Sequence, residues 1–234
     1  MRTANADLMR SAREALRGKW GMAVGVTAAY LGIVMLLQSA KGVGPFVLLF
    51  ISGPLVGGLT IFFLSASRGE TPAFERLFDG FRRYTTYLSA YWLIVLFVFL
   101  WSLLLVIPGI VAAIAYSMTY FVIADDPSVR ASEAMRRSKE LMRGYGWKYV
   151  GLMFRFIGWI ILALLTAGIG FLWLMPYMQV SAAKFYDDLR KADEKETIEA
   201  GEQTKDGEEA EGSLPESGVI DGDGAPADVV PEAV

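Results

Sequence analysis

Seven cations carry most of the chemistry that this 234-residue chain offers: Arg13, Arg17, Arg136, Arg137, Lys139, Arg143 and Arg155. Six of them fall in two short charged stretches, and the seventh stands alone in an apolar run. Guanidinium and ammonium groups suit phosphate oxygens, Arg through a planar fork and Lys as a point charge. Other chemistries lack their residues. The sequence has no Cys and no His, which removes thiol nucleophiles, thiolate and imidazole metal ligands, disulfides and a Ser-His-Asp triad. No Asp or Glu lies inside the long uncharged stretches, so neither a proton relay nor a carboxylate pair for hydrolysis is expected within a membrane. There is no Walker or dinucleotide-binding loop. The expectation is a protein that is not an enzyme, takes no cofactor or metal and binds no nucleic acid.

The elements that position these cations follow from charge and hydropathy. Hydrophobic residues make up 54% of the chain and its mean hydropathy is +0.39, above the apolar share of soluble domains. Residues 1–186 carry 18 Lys/Arg and 9 Asp/Glu, whereas residues 187–234 carry 4 and 16. The basic part suits loops that face anionic headgroups, and the acidic part suits a disordered tail. Residues 3–17 place Leu8, Met9, Ala12, Ala15 and Leu16 on one helical face, with Arg10, Arg13 and Arg17 off it. Residues 128–143 read as a second basic amphipathic helix that stops at Gly144. Trp20–Ala40 is uncharged for 21 residues, enough for one span. Residues 42–67 form another. Tyr84–Ala124 is uncharged for 41 residues, too long for one crossing, so a hairpin is placed at Ile107-Pro108-Gly109. Residues 147–183 need a turn too, placed at 166–170. The fold class is therefore all-α: a polytopic membrane bundle of about six transmembrane helices in three hairpins, with cytoplasmic amphipathic helices. The transmembrane domain is expected over residues 1–189 and a disordered acidic tail over 190–234.

Gly53, Pro54, Pro108, Gly109, Gly144, Gly151, Gly158 and Pro176 are the expected points of helix breakage and close packing. Lys and Arg are concentrated in the amino-terminal segment to Lys19 and in the loops at 68–83 and 130–148, while the opposite turns carry only Lys41. This bias puts both termini and both basic loops in the cytoplasm. A shift of 126 residues lays Gly18, Gly25 and Gly32 on Gly144, Gly151 and Gly158, and Arg10, Arg13 and Arg17 on Arg136, Lys139 and Arg143. A weaker third copy is centred on Phe74, Leu77, Phe78 and Gly80. The repeated unit reads as amphipathic helix, glycine, span, tight turn, span, and its glycine ladder suggests a close helix contact.

Several motifs also resemble a known family: Gly53-Pro54-Leu55, Arg68-Gly69-Glu70, Leu77-Phe78-Asp79-Gly80-Phe81, Ile107-Pro108-Gly109-Ile110, Tyr116-Ser117-Met118, Leu141-Met142-Arg143-Gly144, Trp147-Lys148, Gly158-Trp159 and Pro176-Tyr177. Over residues 8–189 the chain resembles the domain of unknown function 975 family of bacterial integral membrane proteins, departing at Tyr145-Gly146. That family resembles the membrane domain that accompanies some glycerophosphodiester phosphodiesterases. The catalytic barrel of such enzymes has no counterpart here, so the resemblance implies a fold and a location rather than an activity. The leading expectation is a scaffold or accessory protein of the inner membrane, with anionic lipids as partners of the seven cations and other membrane proteins as further partners. The alternative is a small transporter or lipid-handling protein with a site at the Pro/Gly-broken helices and Arg155. The sequence fixes no oligomeric state.

Overall fold

The order of apolar runs and glycines produces an all-helical chain. The computed structural model describes residues 3–40 and 42–212, and no strand occurs among them. The helices are α1 (Asn5–Ala15), α2 (Trp20–Ser39), α3 (Gly44–Ser67), a 3-10 turn (Phe74–Phe78), α4 (Asp79–Arg82), α5 (Tyr84–Leu104), α6 (Val106–Ala115), α7 (Thr119–Asp125), α8 (Ala131–Leu141), α9 (Gly146–Phe154), α10 (Ile157–Leu165) and α11 (Phe171–Gly212). Contacts divide the chain into a compact unit to Glu194 and a second unit from Lys195. The boundary lies five residues past the expected one because Arg190 is still held by Asp125 and Glu194. The acidic segment from 190 is helical as far as Gly212, where α11 ends; its Glu, Lys and Ala residues are strong helix formers. Residues 213–234 lie outside the described residues.

Five helical segments are long and apolar enough to cross a membrane: Trp20–Ser39, Gly44–Ser67, Tyr84–Leu104, Val106–Asp125 and Gly146–Leu165. The chain is a membrane helical bundle. The sixth expected span is not among the five. Its apolar part, 171–183, is short, includes Gln179, and runs directly into Lys184, Asp187 and Asp188. The hub is α3, whose carboxy-terminal half buries Leu55, Leu59, Phe62, Phe63 and Leu64 against α2, the 3-10 turn, α5 and α7. Close approach explains its glycines. A Cβ at Gly53 would lie 2.6 Å from the Tyr87 carbonyl oxygen, and one at Gly58 would overlap the Leu77 backbone.

Two expected breaks are absent. Pro54 and Pro176 both lie within continuous helices; a proline deletes one backbone hydrogen bond and the remaining ladder carries the helix through. The hairpin expected at Pro108 turns earlier, at Leu105, which is extended (φ −163°, ψ 144°), so that Pro108 falls in the first turn of α6. A proline costs little there because the first-turn N–H groups have no helical partner. Gly109 packs on Ser102 of the preceding arm. The tip of this hairpin is apolar throughout, with Leu103, Leu104, Leu105, Val106 and Ile107 all exposed.

The repeat is visible in the backbone. A shift of 126 maps the bounds of α1 onto those of α8, and the start of α2 onto the start of α9. Gly18 and Gly144 have φ of +78° and +79°, a left-handed turn that costs a side-chain-bearing residue about 1–2 kcal/mol. The residues before the paired spans also agree, at φ −116°, ψ 4° for Lys19 and φ −114°, ψ 0° for Tyr145. The proposed middle copy differs. Gly80 lies inside α4 and packs on the Pro54 carbonyl instead of making a turn. The glycine ladder is not a close contact either. Gly25, Gly32 and Gly158 face open space, and Gly151 meets only the Asn5 side chain.

Candidate functional site: the basic helices and the grooves beside them

The two basic helices bury one stripe each and differ in how they are fastened. α1 buries Leu8, Ala12 and Leu16; its Asn5 donates to the Lys148 carbonyl of α9 at 2.9 Å, and Tyr177 donates to its Met9 carbonyl at 3.2 Å. α8 buries Ala131, Ala134, Met135 and Ser138. The Ser138 hydroxyl enters the break between α6 and α7. It donates to the Ala115 carbonyl at 2.8 Å and accepts from the Met118 N–H at 3.2 Å, with both Ser138 and Met118 fully buried. One side chain thus satisfies two backbone groups that the interruption of a span leaves open. Arg83 fastens the other end of this pair, donating to the carbonyls of Ile123 and Val129.

The seven cations separate by their partners. Arg136 is bound by Glu133 at 2.7 Å and Glu140 at 3.0 Å, and Arg137 by Asp126 at 3.0 Å and Glu133 at 3.1 Å. Hydrogen bonds from Ser128 hold the Asp126 carboxyl below its ordinary pKa, and those from Arg136 and Arg137 do the same for Glu133. Arg17, Lys139, Arg143 and Arg155 are exposed and make no ion pair with any described acidic residue. Arg13, also exposed, lies 5.6 Å over the Tyr177 ring. Arg155 sits at the step between α9 and α10, so the isolated charge marks an interrupted span rather than a point within a continuous one.

Two kinds of cavity adjoin these helices. One, of about 370 Å³, is polar and lies between α7, α8 and α11, with Asp125, Asp126, Arg137, Glu140 and Arg190 in its wall. Asp125 is its centre: it receives Arg68 at 2.6 Å, Arg190 at 3.0 Å and the Tyr186 hydroxyl at 3.1 Å, while Arg68 also binds Asp187 at 2.8 Å. Burial opposes the Arg68 charge, but hydrogen bonds to Asp187 and Asp125 outweigh it and raise its pKa. This clasp joins the ends of α3 and α7 to α11. Sequence reading left it unassembled, since Arg68, Asp125 and the 186–190 group are each more than 50 residues apart and only their positions at span ends hinted at a shared level.

The other cavities are apolar. A groove of about 540 Å³ runs between α6 and α9, with Lys139 and Arg143 on its edge. A neighbour of about 380 Å³ lies between α6 and Trp101, also reaching Lys139. A third, of about 420 Å³, has Arg13, Trp20, Trp159 and Trp173 in its wall. None of these three includes Gly53, Pro54 or Arg155.

The family model described as protein of unknown function (DUF975) matches residues 102–193. Through that region the chain is similar to the DUF975 family. The DUF975 region takes in α6 to α10, the Ser138 contact, Asp125 and Arg190, and the grooves on both sides of α6. The motifs at 53–81 fall outside it. No curated protein and no solved structure matches the chain.

Proposed function

We propose that this protein is a non-enzymatic scaffold or accessory protein of the bacterial inner membrane, holding anionic lipid headgroups with its basic helices. The observation that carries this reading is the selective pairing of charge. Arg136 and Arg137 are neutralised by Asp126, Glu133 and Glu140, whereas Lys139, Arg143, Arg13 and Arg17 have no acidic partner among the described residues, and the first three edge apolar grooves. An unpaired cation beside lipid contributes about 1 kcal/mol toward an anionic surface. The excess of Lys and Arg on the α1 and α8 side supports cytoplasmic termini. Anionic lipids are the first partners on this reading, and other membrane proteins the second.

Binding of the detergent-solubilised protein to vesicles of phosphatidylglycerol tests it. Arg13, Arg17, Lys139 and Arg143 changed together to Gln should lose binding by a factor of ten or more. Arg136→Gln with Arg137→Gln should lose less, because those charges are already compensated. Equal binding by the fourfold variant and the wild type would refute the lipid assignment. Since the chain has no Cys, single cysteines placed at Ala4 and Ser217 report the side of each terminus by labelling with an impermeant maleimide in intact cells; labelling from outside would overturn the orientation.

A further inference from the structure

The two grooves beside α6 are the parts of one seat. They share Ile107, Val111, Ala115 and Lys139. The first three are spaced four residues apart and form a ridge along one helical face. Ile110 and Ile114 descend from this ridge into one groove, and Pro108 and Ala112 into the other. Trp147 and Val150 wall the first on its far side, and Trp101 walls the second. Both grooves reach Lys139, an exposed ammonium with no acidic partner among the described residues. Arg143 lies one turn further along on the first groove. The ridge from Ile107 to Ala115 is about 12 Å long by helical rise.

We propose that this surface binds one anionic two-chain phospholipid, with an acyl chain in each groove, the ridge of α6 between them and the phosphate on Lys139 and Arg143. The proposal rests on the reading of the basic helices as headgroup contacts and goes beyond it by assigning the chains. Charge complementarity selects the occupant. A second helix or another copy of the chain would have to bring acidic groups to Lys139 and Arg143 as well as apolar side chains to both grooves, whereas a phosphodiester carries one negative charge and two tails from a single point. Lipid tails are as apolar as the groove walls, so burial alone gives no preference over bulk lipid; selectivity must come from the headgroup charge and from the forked shape. The repeated unit supplies independent support. The 126-residue shift places Arg13 on Lys139, and Arg13 also heads an apolar groove, walled by Trp159, Leu162 and Trp173.

Native mass spectrometry of the purified full chain, loaded with defined lipids, tests this seat. Phosphatidylglycerol should be retained one-to-one at collision energies that strip phosphatidylcholine with the same chains, and single-chain lysophosphatidylglycerol should be retained at least five-fold less. Lys139→Gln with Arg143→Gln should reduce the preference for phosphatidylglycerol about ten-fold. Val111→Trp puts an indole on the ridge at an exposed position, where it leaves both cations in place, and should cut retention at least five-fold; Ile110→Trp, also exposed, repeats the test within one groove. Retention lost with the cations but unchanged in both Trp variants would overturn the two-chain seat while leaving the headgroup reading standing. Equal retention of phosphatidylglycerol and phosphatidylcholine would overturn both. A dimer that dissociates in the Trp variants without lipid loss would assign the grooves to a second copy of the chain and overturn the lipid seat.

Discussion

Replacing Ser138 with Ala tests whether α8 holds the interrupted span together. The substitution removes one oxygen from a fully buried position and leaves the rest of the side chain's packing in place. Two backbone groups lose their partner: the Met118 N–H, 3.2 Å from the hydroxyl, and the Ala115 carbonyl, 2.8 Å from it. An orphaned buried donor costs about 1–3 kcal/mol, and a lost hydrogen bond to a carbonyl that keeps its second lone pair costs about 1 kcal/mol. The sum is about 2–4 kcal/mol, and since 1.36 kcal/mol is tenfold, local opening at 116–119 should rise by about 30- to 900-fold. Amide hydrogen exchange on the detergent-solubilised protein reads this directly, with the Met118 amide as reporter and the α2 amides as internal reference. Ala12→Ser makes the reciprocal change at the equivalent position of α1, where the hydroxyl has no broken span to enter and should leave exchange at 116–119 unaltered. The reasoning fails if Met118 exchanges in Ser138→Ala as slowly as in the wild type. It also fails if the increase is spread evenly over the chain, because that would mark a general loss of packing rather than the opening of one joint.

The remaining expectations concern the clasp, the glycines and pH. Asp125→Asn removes the charged partner of Arg68 and Arg190, so it should cost about 2–3 kcal/mol and lower the thermal midpoint by roughly 5–10 °C; an unchanged midpoint by circular dichroism would show the clasp to be incidental. Gly58→Ala drives a Cβ into the Leu77 backbone and should abolish stable expression or lower the midpoint strongly, while Gly25→Ala, which meets open space, should be neutral or stabilising by up to about 1 kcal/mol. The carboxyls of Asp126 and Glu133 are depressed by Ser128 and the two arginines, so the stability they lend α8 is full above the ordinary carboxylate pKa of about 4 and lost as pH falls through their lowered values. The protection of the α8 amides, with the intrinsic pH dependence of exchange divided out, should accordingly be alike at pH 7 and pH 5 and lower at pH 3; lower protection already at pH 5 would contradict the assignment.

How much of this was legible in the sequence depended on the range of the interaction. Uncharged lengths gave the first two hairpins but not the second arm of the third, and the 126-residue shift gave the matched α1 and α8, because glycine at a positive φ and an apolar stripe are both local signals. The turn at Leu105 was misplaced onto Pro108 because proline reads as a breaker, though the first turn of a helix accommodates it. Arg155 looked like a charge in a continuous span, yet it occupies the step between two shorter helices, which no breaker residue announced. The sequence marked Arg136, Arg137 and Lys139 alike as lipid contacts. Only side-chain geometry separates them, since Asp126, eleven residues before Arg137, reaches back to it. The Asp125 clasp depends on tertiary contact, and the sequence showed no more of it than charged residues at span ends.

The Ser138 contact also changes what kind of object α8 is. An ordinary surface helix can lift off and leave the membrane part unaltered. This one carries the pin of a joint in the span, so its departure from the surface and the loosening of the joint are one event with one free energy. Whatever grips α8 from outside, whether lipid charge on Lys139 or a protein at its exposed face, therefore stiffens the crossing at 116–118. A bend of that crossing, in turn, works against the grip. The copy at α1, with Ala12 in the same place, has the shape of the device without its pin. The chain thus has two handles of matched length and turn, and a single oxygen ties only one of them to the break in a span.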